Sequence, residues 1–123
     1  MRRNLHRRIL EKEGRVAALY EAAQRDAGAI IRHIAERYCP LRIYQWGSLV
    51  GGSHFSEMSD IDIAVEGIPD PAVFFQILAD AEKMTTFPLD IVQMETIDPI
   101  FAEGIRKKGY CAYESDKSAE RRD

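Results

Sequence analysis

One long stretch, from about Leu5 to Tyr38, dictates much of what this chain can fold into. Val16, Leu19, Tyr20, Ala23, Ala27, Ile30, Ile31 and Ile34 recur at spacings of three and four, the pattern of an amphipathic helix with one buried stripe. Gly14 and Gly28 each weaken such a helix by roughly 1 kcal/mol relative to alanine, so a break near Gly14 is expected. Pro40 closes the segment. A helix of this length leaves, out of 123 residues, enough chain for one modest core and a small sheet and too little for a second domain. The stripe is also long for a small sheet to cover. Residues 1–27 therefore read as an N-terminal helical extension whose spare apolar surface would meet a partner, either a different protein or a second copy of the chain.

Beyond Pro40 the periodicity changes. "LRIYQW" alternates and carries Ile43, Tyr44 and Trp46, which suits a strand stopped at Gly47; Ser48 to Gly52 then form a tight turn or a first helical turn. "DIDIAVE" is a second strand, ended by Gly67, Pro69 and Pro71. Val73, Phe74, Ile77, Leu78 and Ala81 restore helical spacing from about Pro71 to Met84, with Asp70 placed to cap its start. "PLDIVQM" is a third strand, a last helix runs from about Asp98 to Lys108 before Gly109, and "YCAYE" adds a short edge strand. From Ser115 the tail, 115–123, is polar and mixed in charge, a composition that favours disorder. The order predicts an α/β (α+β) domain, a small mixed β-sheet of three to four strands flanked by helices.

The acids on these strands carry the chemistry. Alternation on a strand sends Asp60 and Asp62 to one face while Ile61, Ile63 and Val65 point into the core. Asp90, between Leu89 and Ile91, projects away from its two apolar neighbours, so three carboxylates converge if the third strand lies beside the second. Two bare carboxylates about 4 Å apart repel by roughly 4 kcal/mol at an effective dielectric near 20, which calls for protons or cations to neutralise them. Mg²⁺ is the natural counter-ion: it prefers hard oxygen ligands and shares one or two carboxylates with substrate phosphates. Paired ions would stabilise the attacking and leaving oxygens of a phosphoryl displacement. Gly47 lets backbone approach a phosphate closely, and Ser48 offers a hydroxyl and an N–H where a helix would begin. Taken singly, an Asp-x-Asp is often a solvated strand edge and a Gly-Ser pair says little; together, on successive apolar strands, they point to one site.

At these residues the chain resembles the nucleotidyltransferases of the DNA polymerase beta superfamily, most closely the small bacterial minimal nucleotidyltransferases. Gly47 and Ser48 match the Gly-Ser pair, residues 49–59 form the spacer, Asp60 and Asp62 match the Asp-x-Asp, and Asp90 matches the third acid. The likeness spans roughly residues 28–114, the minimal nucleotidyltransferase domain, and includes "IRKKGYCAYE". It implies the nucleotidyltransferase fold and Mg²⁺-dependent transfer of a nucleoside monophosphate, with ATP as substrate and two Mg²⁺ ions. Asp60, Asp62 and Asp90 would be catalytic and metal-binding, Gly47 and Ser48 would hold the triphosphate, and Asp90 would complete the metal site or draw a proton from the acceptor hydroxyl. It also implies a HEPN-domain toxin as partner, neutralised as antitoxin targets are, by binding or by attachment of AMP to a tyrosine. The Arg, four residues, His spacing of HEPN ribonucleases is not found around His6, His33 or His54, so this chain would be the transferase half. Leu49, Val50, Gly51 and Gly52 stand where relatives often carry an arginine.

A non-catalytic antitoxin that only covers its toxin is the alternative. Transfer to a small molecule needs a further substrate domain, and templated polymerisation needs fingers and thumb for which 123 residues leave no room. A net charge of −3 argues against binding nucleic acid over a broad basic surface, although Arg2, Arg3, Arg7, Arg8, Lys12 and Arg15 crowd the start as a solvated face. No apolar run approaches the roughly 20 residues of a membrane span. Cys39 and Cys111 have no metal-ligand spacing, and the start lacks the apolar core of a secretory signal, so free thiols in the cytoplasm are expected. The histidines read as surface or capping residues, and Trp46 as a core residue rather than a stacking platform.

Overall fold

The computed structural model describes residues 2–47 and 60–116, with side chains from Arg7 onward. Among these residues it forms three helices and a four-stranded mixed sheet. Helix α1 (Arg2–Tyr38) leads to β1 (Arg42–Trp46) and β2 (Ile61–Glu66). Helix α2 (Pro71–Glu82), β3 (Leu89–Gln93), α3 (Pro99–Lys108) and β4 (Tyr110–Glu114) follow. The sheet order is β3-β2-β1-β4, with β1 antiparallel to both β2 and β4 and β2 parallel to β3.

Helix α1 runs unbroken through Gly14, contrary to the expected break. A glycine penalty of roughly 1 kcal/mol is small against a helix of 37 residues, and space is open around Gly14. The helix stops where Cys39 takes a left-handed backbone (φ 49°) and Pro40 follows. Two Asp-Pro steps start the other helices. Asp70 accepts from the Ala72 N–H at 2.9 Å and Asp98 from the Ile100 N–H at 2.8 Å, each with proline in the first turn.

The sheet is covered on both faces. Ile43, Ile61, Ile63, Val65 and Ile91 pack beneath α1 and α2, against Ala23, Ala27, Ile30, Ile34, Ile77 and Ala81. Each fully buried isoleucine or valine contributes about 1.5–3 kcal/mol. The other face is smaller: Tyr44, Ala64 and Met94 pack against Ala102 and Ile105 of α3. Strand β2 is consequently buried along its whole length.

The α1 stripe is used differently from the expectation. Ala23 and Ala27 are fully buried, and Val16, Leu19 and Tyr20 pack on the same core. From Val16 onward the apolar face is therefore folded onto the chain's own sheet, and Ile9 and Leu10 are what it leaves exposed. Ser115, expected to open the polar tail, has its N–H hydrogen-bonded to Leu41 O at 2.9 Å; residues 117–123 lie outside the described residues.

Candidate active site

Parallel pairing of β2 with β3 sets Asp62 opposite Asp90 in register. Both occupy the face of the sheet that α3 covers, by the same alternation that turns Ile61, Ile63 and Ile91 toward α1. Asp62 is buried beside Ala64, whereas Asp90 is exposed. Asp60 sits one residue ahead of β2 and is exposed. Burial pushes the Asp62 carboxyl up to about 7, and the charges of Asp90 and then Asp60 push in the same direction. Both neighbouring acids thus act on Asp62, yet among the described residues no three such groups close into a metal cage. Like charges without a counter-charge favour that spread.

Gly47 completes this end of the sheet. Strand pairing puts Trp46 opposite Asp62, and the next residue turns with φ 79°. A Cβ at Gly47 would overlap the Asp62 carboxylate, lying only 2.9 Å from its Cγ. Glycine is required here because Asp62 fills the space, a reason that the sequence, where Gly47 read as a phosphate approach, did not disclose. Ser48 and the spacer, with Gly51, Gly52 and His54, lie outside the described residues.

The opposite end of the same face is neutralised. Glu66 accepts from Arg42 Nη1 at 2.7 Å and from Arg106 Nη2 at 2.8 Å, and Arg42 also reaches Glu114. Burial alone would raise the Glu66 carboxyl, but the two guanidiniums outweigh it and hold it below its usual range. Arg106 thereby ties α3 to β2.

Beside Gly47 opens an apolar cleft of about 430 Å³ between the end of β1 and α3, walled by Trp46, Phe101, Gly104, Ile105 and Lys108. Trp46 meets Phe101 edge-on, ring centres 5.3 Å apart, and is half-buried: it belongs to the core as expected and also lines the cleft. The cleft was overlooked in the sequence, although 101, 104, 105 and 108 share one helical face. His33 differs from a bland surface histidine. Its Nε2 lies 2.8 Å from Asp80 Oδ2, which also accepts from Tyr38 OH at 2.6 Å, so the cluster clamps α1 to α2. Cys39 and Cys111 are free and exposed, and among the described residues no helix is long and apolar enough to cross a membrane.

Comparison with known proteins adds to this geometry. The family model described as "Polymerase beta, Nucleotidyltransferase" matches residues 29–118. A comparison with curated proteins returns no match. Among solved structures, a toxin-antitoxin with AMP-PNP superposes with a TM-score of 0.60 at 19% identity, covering 76% of this chain and 78% of that one. A mutant of the toxin-antitoxin MntA-HpeT gives 0.60 at 17% identity over 77% and 78%. A putative nucleotidyltransferase from Sulfolobus solfataricus gives 0.54 at 21% identity over 83% and 89%.

Proposed function

Because the chain belongs to the polymerase beta nucleotidyltransferase family, we propose that it moves a nucleoside monophosphate, AMP from ATP, onto a protein acceptor, and that it does so as the antitoxin of a toxin-antitoxin pair with a HEPN-domain toxin. The observation that carries the chemical part is the register of Asp62 with Asp90, closed on one side by the bare backbone of Gly47. The toxin-antitoxin part is supported by the two superposed structures described as such, one of them with AMP-PNP.

These residues suit a divalent cation. A carboxyl held near 7 by burial and two neighbouring acids is unfavourable when ionised and unpaired, and hard oxygen donors without thiol or imidazole fit Mg²⁺. Asp60, Asp62 and Asp90 would hold it. When bound, Mg²⁺ would supply charge neutralisation on the triphosphate. Gly47 and Ser48 would bring backbone N–H groups to the phosphates. Transfer forms a bond from the acceptor hydroxyl oxygen to the α-phosphorus and breaks the bond to the pyrophosphate oxygen. Asp90, exposed and in register with Asp62, would complete the metal site or accept the hydroxyl proton.

The exposed Ile9 and Leu10 on the first turns of α1 favour the second reading, an antitoxin that works by contact alone. Incubation with labelled ATP, Mg²⁺ and the toxin partner separates the two. The transferase reading expects label on the partner with wild type and none with Asp62→Asn. A stable complex that neutralises the toxin equally well with either protein, and carries no label, would leave the contact reading in its place.

A further inference from the structure

The apolar cleft beside Gly47 has no part in the carboxylate chemistry, and its position gives it one. Gly47 is a wall of the cleft and also the residue against which Asp62 packs, so the two sites are continuous across a single residue. A nucleotide whose phosphates lie at the carboxylates must direct its nucleoside to one side or another, and the cleft is the adjoining recess. Its walls suit a flat ring: Trp46 and Phe101 are aromatic, Ile100 is 84% exposed, and Gly104 on α3 is a position where a Cβ would meet nothing within 4 Å. Lys108 adds the charged group on the α3 side. A volume of about 430 Å³ is within the range of small-ligand sites and exceeds what a base alone fills.

We propose that this cleft seats the base of the nucleoside triphosphate, against Trp46 and Phe101 and over Gly104. The proposal rests on the nucleotidyltransferase reading above and adds to it the residues that contact the nucleoside. Stacking and apolar contact of this kind select weakly among bases, so the cleft supplies affinity more than base discrimination.

Trp46 is the one tryptophan of the chain, so its fluorescence reports the cleft directly. Wild type is titrated with ATP and separately with inorganic tripolyphosphate, both with Mg²⁺, and the titrations are repeated with Gly104→Leu, which adds a side chain to the cleft lining where a Cβ has open space and improves helix propensity. Ile100→Ser, at an exposed position, serves as a second variant that does not depend on packing. The expected result is that ATP quenches Trp46, tripolyphosphate displaces ATP without quenching on its own, and each variant weakens ATP by roughly tenfold while leaving tripolyphosphate unchanged. ATP binding that neither changes Trp46 fluorescence nor responds to the variants would overturn the base seat and leave the transferase reading standing. Failure of both ATP and tripolyphosphate to bind would remove the nucleotide reading and the base seat with it.

Discussion

Asp62 and Glu66 leave β2 on the same face and are equally buried, each 8% exposed, yet their surroundings treat them in opposite ways. Glu66 is met by Arg42 and Arg106 and is held ionised; Asp62 is met by Asp90 and Asp60 and is held partly protonated near neutrality. Two guanidiniums reach one end of the strand, and among the described residues none pairs with the acid at the other. The difference separates a structural carboxylate, paired by two arginines, from one left without a cation among the described residues. Charge left unpaired at a buried position lowers stability, so such a site is retained where ligand binding uses it.

The contrast can be broken most severely at Asp62. Under the proposed function, Asp62→Asn removes several kcal/mol of charge stabilisation and lowers transfer by roughly 10³-fold, measured with labelled ATP. The same substitution raises the stability of the metal-free protein at pH 8, measured by urea denaturation, because an uncharged amide replaces a disfavoured anion. A Glu66 substitution has the reverse sign. Glu66→Ala strands Arg42 and Arg106 and costs about 3 kcal/mol in the same denaturation experiment, with β1, β2 and α3 all affected. Gly47→Ala forces the Asp62 carboxylate aside. Its expected effect is a loss of transfer of roughly 10²-fold, for a site displaced by an ångström or so, with a smaller loss of stability.

The last effect is a slope with pH. The folded Asp62 carboxyl titrates near 7 against an ordinary value of 3.8, so between these values the folded state binds more protons than the unfolded state. Its contribution to stability is greatest at low pH and is lost as pH rises toward 7, at up to about 1.4 kcal/mol per pH unit. Glu66 runs the other way: its lowered carboxyl stabilises the fold above 4.5, and that contribution is lost as pH falls through its folded value. Metal-free wild type should therefore lose stability between about pH 4 and 7, and neither Asp62→Asn nor Mg²⁺-saturated wild type should show that loss. An identical slope in Asp62→Asn would assign the effect to another group.

Most of the fold is legible in the sequence because its signals are local. Asp70-Pro71 and Asp98-Pro99 mark helix starts, Gly109 marks an end, and alternation in "DIDIAVE" assigns Ile61, Ile63 and Val65 to the core. What the sequence conceals is relational. The opposition of Asp62 and Asp90 depends on parallel pairing through the α2 crossover, which no local pattern encodes. Glu66 and Arg106 are forty residues apart, so an ordinary strand-end glutamate carries no sign of its two cations. The α1 stripe shows that residues 16–27 have an apolar face and not whether it meets the chain's own sheet or a partner. Gly47 is visible as a strand stop, while the crowding by Asp62 that requires glycine emerges only when β1 and β2 pair.

Among the described residues Asp62 has no cation partner, and a carbon-13 NMR titration of its side-chain carboxyl, with and without Mg²⁺, tests most directly whether a cation takes that place. The expected result is a midpoint near 7 in the metal-free protein that falls by more than a pH unit when Mg²⁺ is bound. A metal-free midpoint near 4, or one near 7 that Mg²⁺ leaves in place, would contradict the assignment of this end of the sheet as a cation seat.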